Sequence, residues 1–325
     1  MQESKDKRQN FRALVVTLII GVALYLGAAA VSDITEVASS IWQMSLVAWL
    51  IVLLLSLLNY GMRFLRWHAY LLKLGYFIPI AAHLLYYVSG FAFTTTPGKA
   101  GEAIRSAHLK HHGVNYASSI AALFAERFAD LLTIVFLASL GFAKHENMAW
   151  VMYVGLVLCM FILSFLWHPA GYRLLESFTQ ARSPDWFNGL SQGLTKFVKS
   201  VKSLLTSKLL LTALAIGVPA WFAEAVGFYI IMQQLGQQIS VLEATGVYAL
   251  GMLAGALSFI PGGLGSTEAV MILLLSALGV PPPQAIAGTL ICRIATLWFS
   301  VLLGFIATVI ITLRQGSSRT FPKET

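Results

Sequence analysis

Two stretches concentrate the residues that could do chemistry in an otherwise apolar chain. One is Thr94-Thr95-Thr96-Pro97-Gly98-Lys99-Ala100-Gly101-Glu102. The other is Ser258-Phe259-Ile260-Pro261-Gly262-Gly263-Leu264-Gly265-Ser266-Thr267-Glu268. Each ends in a glutamate that precedes an arginine by 25 residues, Arg127 (127 − 102) and Arg293 (293 − 268). Proline and glycine in mid-helix break it. In a bilayer the freed backbone groups persist only where protein or a water-filled cavity satisfies them. Each stretch therefore predicts the end of one half-helix and the start of another. The N-terminus of the second half offers unpaired N–H groups and the positive end of the macrodipole. Two such termini, with the hydroxyls of Thr94, Thr95, Thr96, Ser266 and Thr267, make a seat for a phosphate or another anion. Arg127 and Arg293 can close around it with bidentate geometry. The competing reading is that Glu102 and Glu268 cap the half-helices and pair with Arg127 and Arg293.

Other ionisable residues fall within apolar runs: Arg63, Glu126, Asp130 and Glu224. Each costs about 2.5–3.5 kcal/mol on insertion scales, which points to a functional interior. Three cations (Arg63, Arg127, Arg293) stand against five carboxylates (Glu102, Glu126, Asp130, Glu224, Glu268). That excess of acid leaves three readings open: protonated acids with proton coupling, a cationic ligand group, or a water-filled vestibule. Glu126 and Asp130 stand at i and i+4 on one helix face, where like charges repel. His83 falls in the first broken segment, and His108, His111 and His112 flank Lys110. No His-Glu-x-x-His spacing and no Gly-x-Ser-x-Gly motif occurs, so neither metal, cofactor nor enzyme chemistry is expected. Cys159 and Cys292 lie in apolar runs and read as small buried hydrophobes.

The elements that must position these groups are transmembrane helices. The chain has 325 residues, 58% hydrophobic and 11% charged, against about 25% charged in a soluble domain. Mean hydropathy is +0.76. The net charge of +8 is placed in loops on one side, as the positive-inside rule expects, which argues against nucleic acid as a partner. Apolar runs predict about six spans, near 13–31, 44–67, 116–142, 148–167, 208–235 and 285–313. Segments 80–112 and 244–280 have like flanks and read as re-entrant hairpins. Lys144 is the one loop charge that breaks the rule. Both termini are expected in the cytoplasm. The connection 169–207 is cytoplasmic and amphipathic, lying either on an anionic membrane surface or on the protein's own face.

The two halves also resemble each other. Leu74-Gly75 matches Leu235-Gly236, and Arg63 and Glu224 each stand 11 residues before that leucine (74 − 63, 235 − 224). Three crossings separate the copies, so they run in opposite orientation, as in the inverted repeats of secondary transporters. The expected architecture is thus all-α: one membrane domain over 1–325, with repeat 1 near 44–142 and repeat 2 near 208–313.

Thr-Thr-Pro-Gly-Lys-Ala-Gly-Glu (95–102) followed by Ala-Glu-Arg-Phe-Ala-Asp (125–130) resembles the lysylphosphatidylglycerol synthase transmembrane family. So does Ile-Pro-Gly-Gly-Leu-Gly-Ser-Thr-Glu-Ala (260–269) followed by Arg293. That family includes the flippase domain of the multiple peptide resistance factor and stand-alone flippase-like proteins. The resemblance implies a lipid translocator of a prokaryotic plasma membrane. Its motif positions here are Pro97, Gly98, Gly101, Glu102, Glu126, Arg127, Asp130, Pro261, Gly262, Gly263, Gly265, Glu268 and Arg293. The soluble aminoacyl-transfer domain of the resistance factor has no counterpart in this sequence, so lysyl transfer is not carried over. The leading expectation is a flippase for a lipid with a polar, phosphate-bearing head group. The alternatives are a membrane enzyme or accessory acting on lipid-linked sugars, and an ion-coupled transporter of a small anion. Self-association is open.

Overall fold

The computed structural model describes residues 42–95, 104–143 and 185–317, with a few single positions besides. The expected spans near 13–31 and 148–167, and the first break with Thr96, Pro97, Gly98, Gly101 and Glu102, lie outside the described residues. The described chain is helical throughout. Helix α1 (Leu46–Lys73) leads through a short turn to α2 (Ile80–Ser89), which tightens into a 3₁₀ turn over Gly90–Phe93. Then come α3 (Ile104–Leu109), α4 (Tyr116–Gly141), α5 (Asp185–Leu204), α6 (Ser207–Gln234) and α7 (Val241–Leu257). A 3₁₀ turn at Pro261–Gly263 precedes α8 (Ser266–Ala277). Helix α9 (Pro282–Arg293) passes through a π-helical segment, Ile294–Trp298, into α10 (Phe299–Ser317). Local chemistry sets the ends. Ser45 Oγ accepts the Ala48 N–H at 3.2 Å and Asn115 Oδ1 the Ser118 N–H at 2.8 Å. Ser240 and Glu243 form a reciprocal capping box on α7.

Three described helices are long and apolar enough to cross a membrane: Leu46–Lys73, Ser207–Gln234 and Pro282–Arg314. By contrast, α7 has 17 residues and α8 has 12. At about 1.5 Å per residue neither spans a hydrocarbon layer of about 30 Å.

The elements recur at constant spacing. Helices α1 and α6 both have 28 residues and differ by 161 at each end (207 − 46, 234 − 73). Helix α7 begins 161 after α2 (241 − 80), and α9 begins 166 after α4 (282 − 116). The turns repeat as well. Gly75 and Gly236, and Gly113 and Gly279, all have φ between +73° and +86°. Tyr76 N–H reaches Leu71 O at 3.0 Å, and Gln237 N–H reaches Met232 O at 3.0 Å. These left-handed turns close helix ends in the manner glycine permits.

Two apolar cores form, and α1, α4 and α6 run through both. One core holds Val52, Leu137, Phe228, Ile231, Met271 and Ile291; the other holds Phe64, Trp67, Leu71, Ala122, Phe128 and Leu204. Between them along α1 and α4 lie Ser56 and Asn59, and Asp130 and Thr133, all buried. The two long helices α1 and α6 meet there, where Asn59 Nδ2 donates to Ala220 O at 2.9 Å. Lipid-facing side chains such as Leu46, Leu54, Leu58 and Leu65 of α1 stand exposed. Helix α5 rests on the protein's own face. Val201 and Leu204 are buried, Phe197 meets Phe124 edge-on, and Lys196, Lys199 and Lys202 point away.

Candidate functional site

Glu126 and Asp130 share one face of α4, and their mutual repulsion is answered by arginines from three elements. Glu126 is fully buried. Its carboxylate receives Arg105 Nη1 at 3.2 Å, Arg63 Nη2 at 3.5 Å and the Tyr87 hydroxyl at 2.8 Å, with Arg127 Nη2 at 3.3 Å. Asp130 receives Arg66 Nη2 at 2.5 Å, Arg63 Nη2 at 3.1 Å and Trp221 Nε1 at 3.0 Å. Room for this is made by glycine. A methyl on Gly217 would lie 2.6 Å from Thr133 Oγ1 and 3.2 Å from Arg66 Nη1. One on Gly90 would lie 2.4 Å from Arg105 Nε. The Arg105 guanidinium also stacks 4.1 Å over the Tyr87 ring.

This corrects the charge count made from the sequence. Arg66 and Arg105, left out of that count, are both almost wholly buried. Among the described residues five arginines (63, 66, 105, 127, 293) face four interior carboxylates (Glu126, Asp130, Glu224, Glu268). Among those residues cations outnumber acids, where the count from the sequence put the acids ahead. Sequence reasoning also passed over Tyr87 and Tyr248, although they are 161 apart (248 − 87) like the elements that carry them. Each donates its hydroxyl to a buried glutamate, Tyr87 to Glu126 and Tyr248 to Glu224.

In the second broken segment, Glu268 caps its own half-helix. Its Oε2 accepts the Gly265 N–H at 2.7 Å, and its Oε1 accepts Arg293 Nε at 2.7 Å. Arg293 Nη2 also donates to Gly262 O at 2.6 Å. The carboxylate thus fills the N-terminal position that an external anion would take. Gly262, Gly263 and Gly265 have φ of +63°, +65° and +86°, a backbone that glycine adopts without strain. Ser266 Oγ donates to Ser258 Oγ at 2.9 Å and stays within the loop. The first segment approaches the same place. A methyl on Gly262 would lie 3.3 Å from Thr95 Cγ2, at the described end of the first segment.

Beside this contact opens a cavity of about 320 Å³. Its polar wall is Arg127, Asp130, Gly262, Gly263, Thr267 and Arg293, and its apolar lip includes Leu257, Phe259 and Ile260. The lip is exposed, Phe259 at 74%, and Phe259 holds a left-handed φ of 54°. Arg127 keeps 27% of its side chain exposed. A smaller chamber of about 60 Å³ lies alongside, lined in part by Arg63, Glu224 and Arg293. Of the residues singled out in the sequence, Arg127, Asp130, Gly262, Gly263, Thr267 and Arg293 therefore meet at one cavity. Arg63 and Glu224 lie at the other. Glu126, Glu268, Pro261, Gly265 and Ser266 line neither.

The family model described as the lysylphosphatidylglycerol synthase TM region matches residues 18–304 of the chain. The chain belongs to this family. Among relatives, a UPF0104 membrane protein of Methanothermobacter thermautotrophicus is 25% identical over 324 residues, covering 92% of each chain. A second UPF0104 membrane protein of that organism is 25% identical over 231 residues, 64% of this chain and 68% of the relative. A phosphatidylglycerol lysyltransferase of Staphylococcus xylosus is 37% identical over 86 residues, 26% of this chain and 10% of that protein. The chain is an all-α, multi-pass membrane protein of the lysylphosphatidylglycerol synthase transmembrane family, a family compatible with lipid transport.

Proposed function

We propose that this family member is a flippase: it moves a lipid with an anionic, phosphate-bearing head group across a prokaryotic inner membrane, in which both termini face the cytoplasm. The observation that carries this reading is the two-sided cavity. Arg127 and Arg293 stand at its inner wall, and the exposed Leu257, Phe259 and Ile260 form its lip. A small soluble anion needs no apolar lip, whereas a lipid presents a charged head and tails together. The head group lies against the guanidiniums, which bind phosphate in forked geometry. The tails stay in the bilayer beside the lip. The resemblance of a short segment to phosphatidylglycerol lysyltransferases favours a phosphatidylglycerol-type head. On this reading the chain is a carrier and makes or breaks no covalent bond.

The test is flipping of fluorescent phosphatidylglycerol in vesicles reconstituted with the purified chain, followed by quenching of the outer leaflet. Wild type accelerates exchange between leaflets. Arg127→Gln reduces the rate at least about tenfold, as loss of a charge-assisted contact of about 1.5–3 kcal/mol predicts. Equal rates in protein-free and protein-containing vesicles would remove the flippase reading. An unchanged rate in Arg127→Gln would remove that arginine from the site.

A further inference from the structure

The small chamber behind the main cavity mixes polar groups with the apolar Phe91, Trp221, Met252 and Leu297. Tyr60, Arg63, Thr94, Glu224, Tyr248 and Arg293 face it. About 60 Å³ admits a few water molecules and no lipid head group. Thr94 is buried, and its Oγ1 has no hydrogen-bond partner among the described residues. Glu224 is 5% exposed and accepts the Tyr248 hydroxyl. The chamber and the main cavity share a wall made of Trp221, Met252, Arg293 and Leu297.

The repeat makes the chamber unusual. In the first half, two acids on α4 are enclosed by arginines from α1, α3 and α4 itself. At the matching positions of the second half, the helix corresponding to α4 carries Cys292 (126 + 166) and Thr296 (130 + 166). The acid has moved to α6, where Glu224 (63 + 161) stands in the place of Arg63. The charged and titratable groups around it are Tyr60 and Arg63 of α1, Tyr248 of α7, and Cys292 and Arg293 of α9.

We propose that this chamber is a proton-binding site: Glu224 takes up a proton when an anionic head group binds at Arg127 and Arg293, and releases it when the head group leaves. The inference rests on the flippase reading and adds a coupled ion to it. The charge of Arg293 serves both cavities. An anion bound to its guanidinium offsets that positive charge at Glu224, so the carboxylate binds a proton more readily. The proton comes from chamber water onto a carboxylate oxygen, and the new O–H has hydroxyl acceptors around it. Linkage is reciprocal, so protonation of Glu224 tightens anion binding to the same degree.

The experiment titrates the purified full chain in weakly buffered detergent with dioctanoyl phosphatidylglycerol, reading bound lipid by calorimetry and protons by a pH indicator dye. Wild type takes up as much as one proton per lipid bound, and its affinity rises by up to about tenfold per unit fall in pH within the titration window. Glu224→Gln takes up no proton, and its affinity does not change with pH. Tyr248→Phe, which removes a donor to the ionised carboxylate, moves the window to higher pH and keeps the inference testable if Glu224→Gln does not fold. Lipid binding by wild type without proton uptake at any pH would overturn the proton site and leave the flippase reading intact. Proton uptake persisting in Glu224→Gln would also overturn it. Failure of wild type to bind the lipid at all would overturn both.

Discussion

At the scale of single residues, the decisive feature is that four arginines converge on two acids. Burying ions is costly, and a buried network holds only while each charge keeps its partners. Asp130 is the junction, met by Arg63, Arg66, Arg127 and Trp221. Asp130→Asn leaves Arg66, itself almost fully buried, without its shortest partner. The expected cost is about 3–5 kcal/mol, seen as a large fall in the thermal unfolding midpoint in detergent. Arg127→Gln should lower that midpoint much less, because Arg127 is more than a quarter exposed and solvent screens its pairs. Equal destabilisation by the two would show that Asp130 is no junction. The sequence made Glu126 and Asp130 visible as a repelling pair. It did not show that Arg66, one turn from Arg63, and Arg105, past the first break, would fold inward to answer them.

Elements meet here through glycine, and the approach distances decide which glycines matter. Helix α10 packs on the turn Gly90–Phe93 so closely that a methyl on Gly304 would lie 2.1 Å from Ala92 N and 2.7 Å from Phe91 C. Backbone cannot yield as a side-chain tip can, so Gly304→Ala should destabilise by about 1–3 kcal/mol and part that turn from α10. Gly61, in the middle of α1, has nothing within 4 Å of such a methyl. Gly61→Ala should stabilise by as much as about 1 kcal/mol through helix propensity. Unfolding midpoints of the two variants test the pair, and a fall for both would sink the distinction. The π segment at Ile294–Trp298 belongs to the same scale. The sequence read 285–313 as one plain span, and nothing in its apolar pattern marks the change of register. The Tyr60 hydroxyl donates to Thr296 O there, a tertiary contact with a residue more than two hundred positions away.

For the whole molecule, the proposed carrier reading makes the polar layer between the two apolar cores the fixed centre around which the halves exchange shapes. The helix bounds recur at 161 and 166 residues (207 − 46, 282 − 116), and the difference of five falls between the starts of α2 and α4 and of α7 and α9. If the halves insert with opposite orientation, single cysteines at Gln238→Cys and Pro282→Cys should react with an impermeant maleimide from outside intact cells. Lys199→Cys, on the outward face of α5, should react only after the cytoplasmic side is opened. Reaction of all three from one side would end the inverted arrangement.

Composition, hydropathy and the charge of loops settled by themselves that this is an all-α membrane protein. The second proline-glycine break, with Arg293 placed 25 residues beyond Glu268, marked a place where the interior is polar. Those are local or periodic signals, carried by residue type and spacing, and need no partner to be read. The tertiary structure alone decided which charges pair. Pairing depends on elements separate in the chain lying side by side: Arg63 and Arg66 with Asp130, Arg105 with Glu126, and Glu224 facing a chamber that Arg293 shares with the main cavity. No spacing along a chain encodes such distances, because they are set by how closely glycine lets the helices approach.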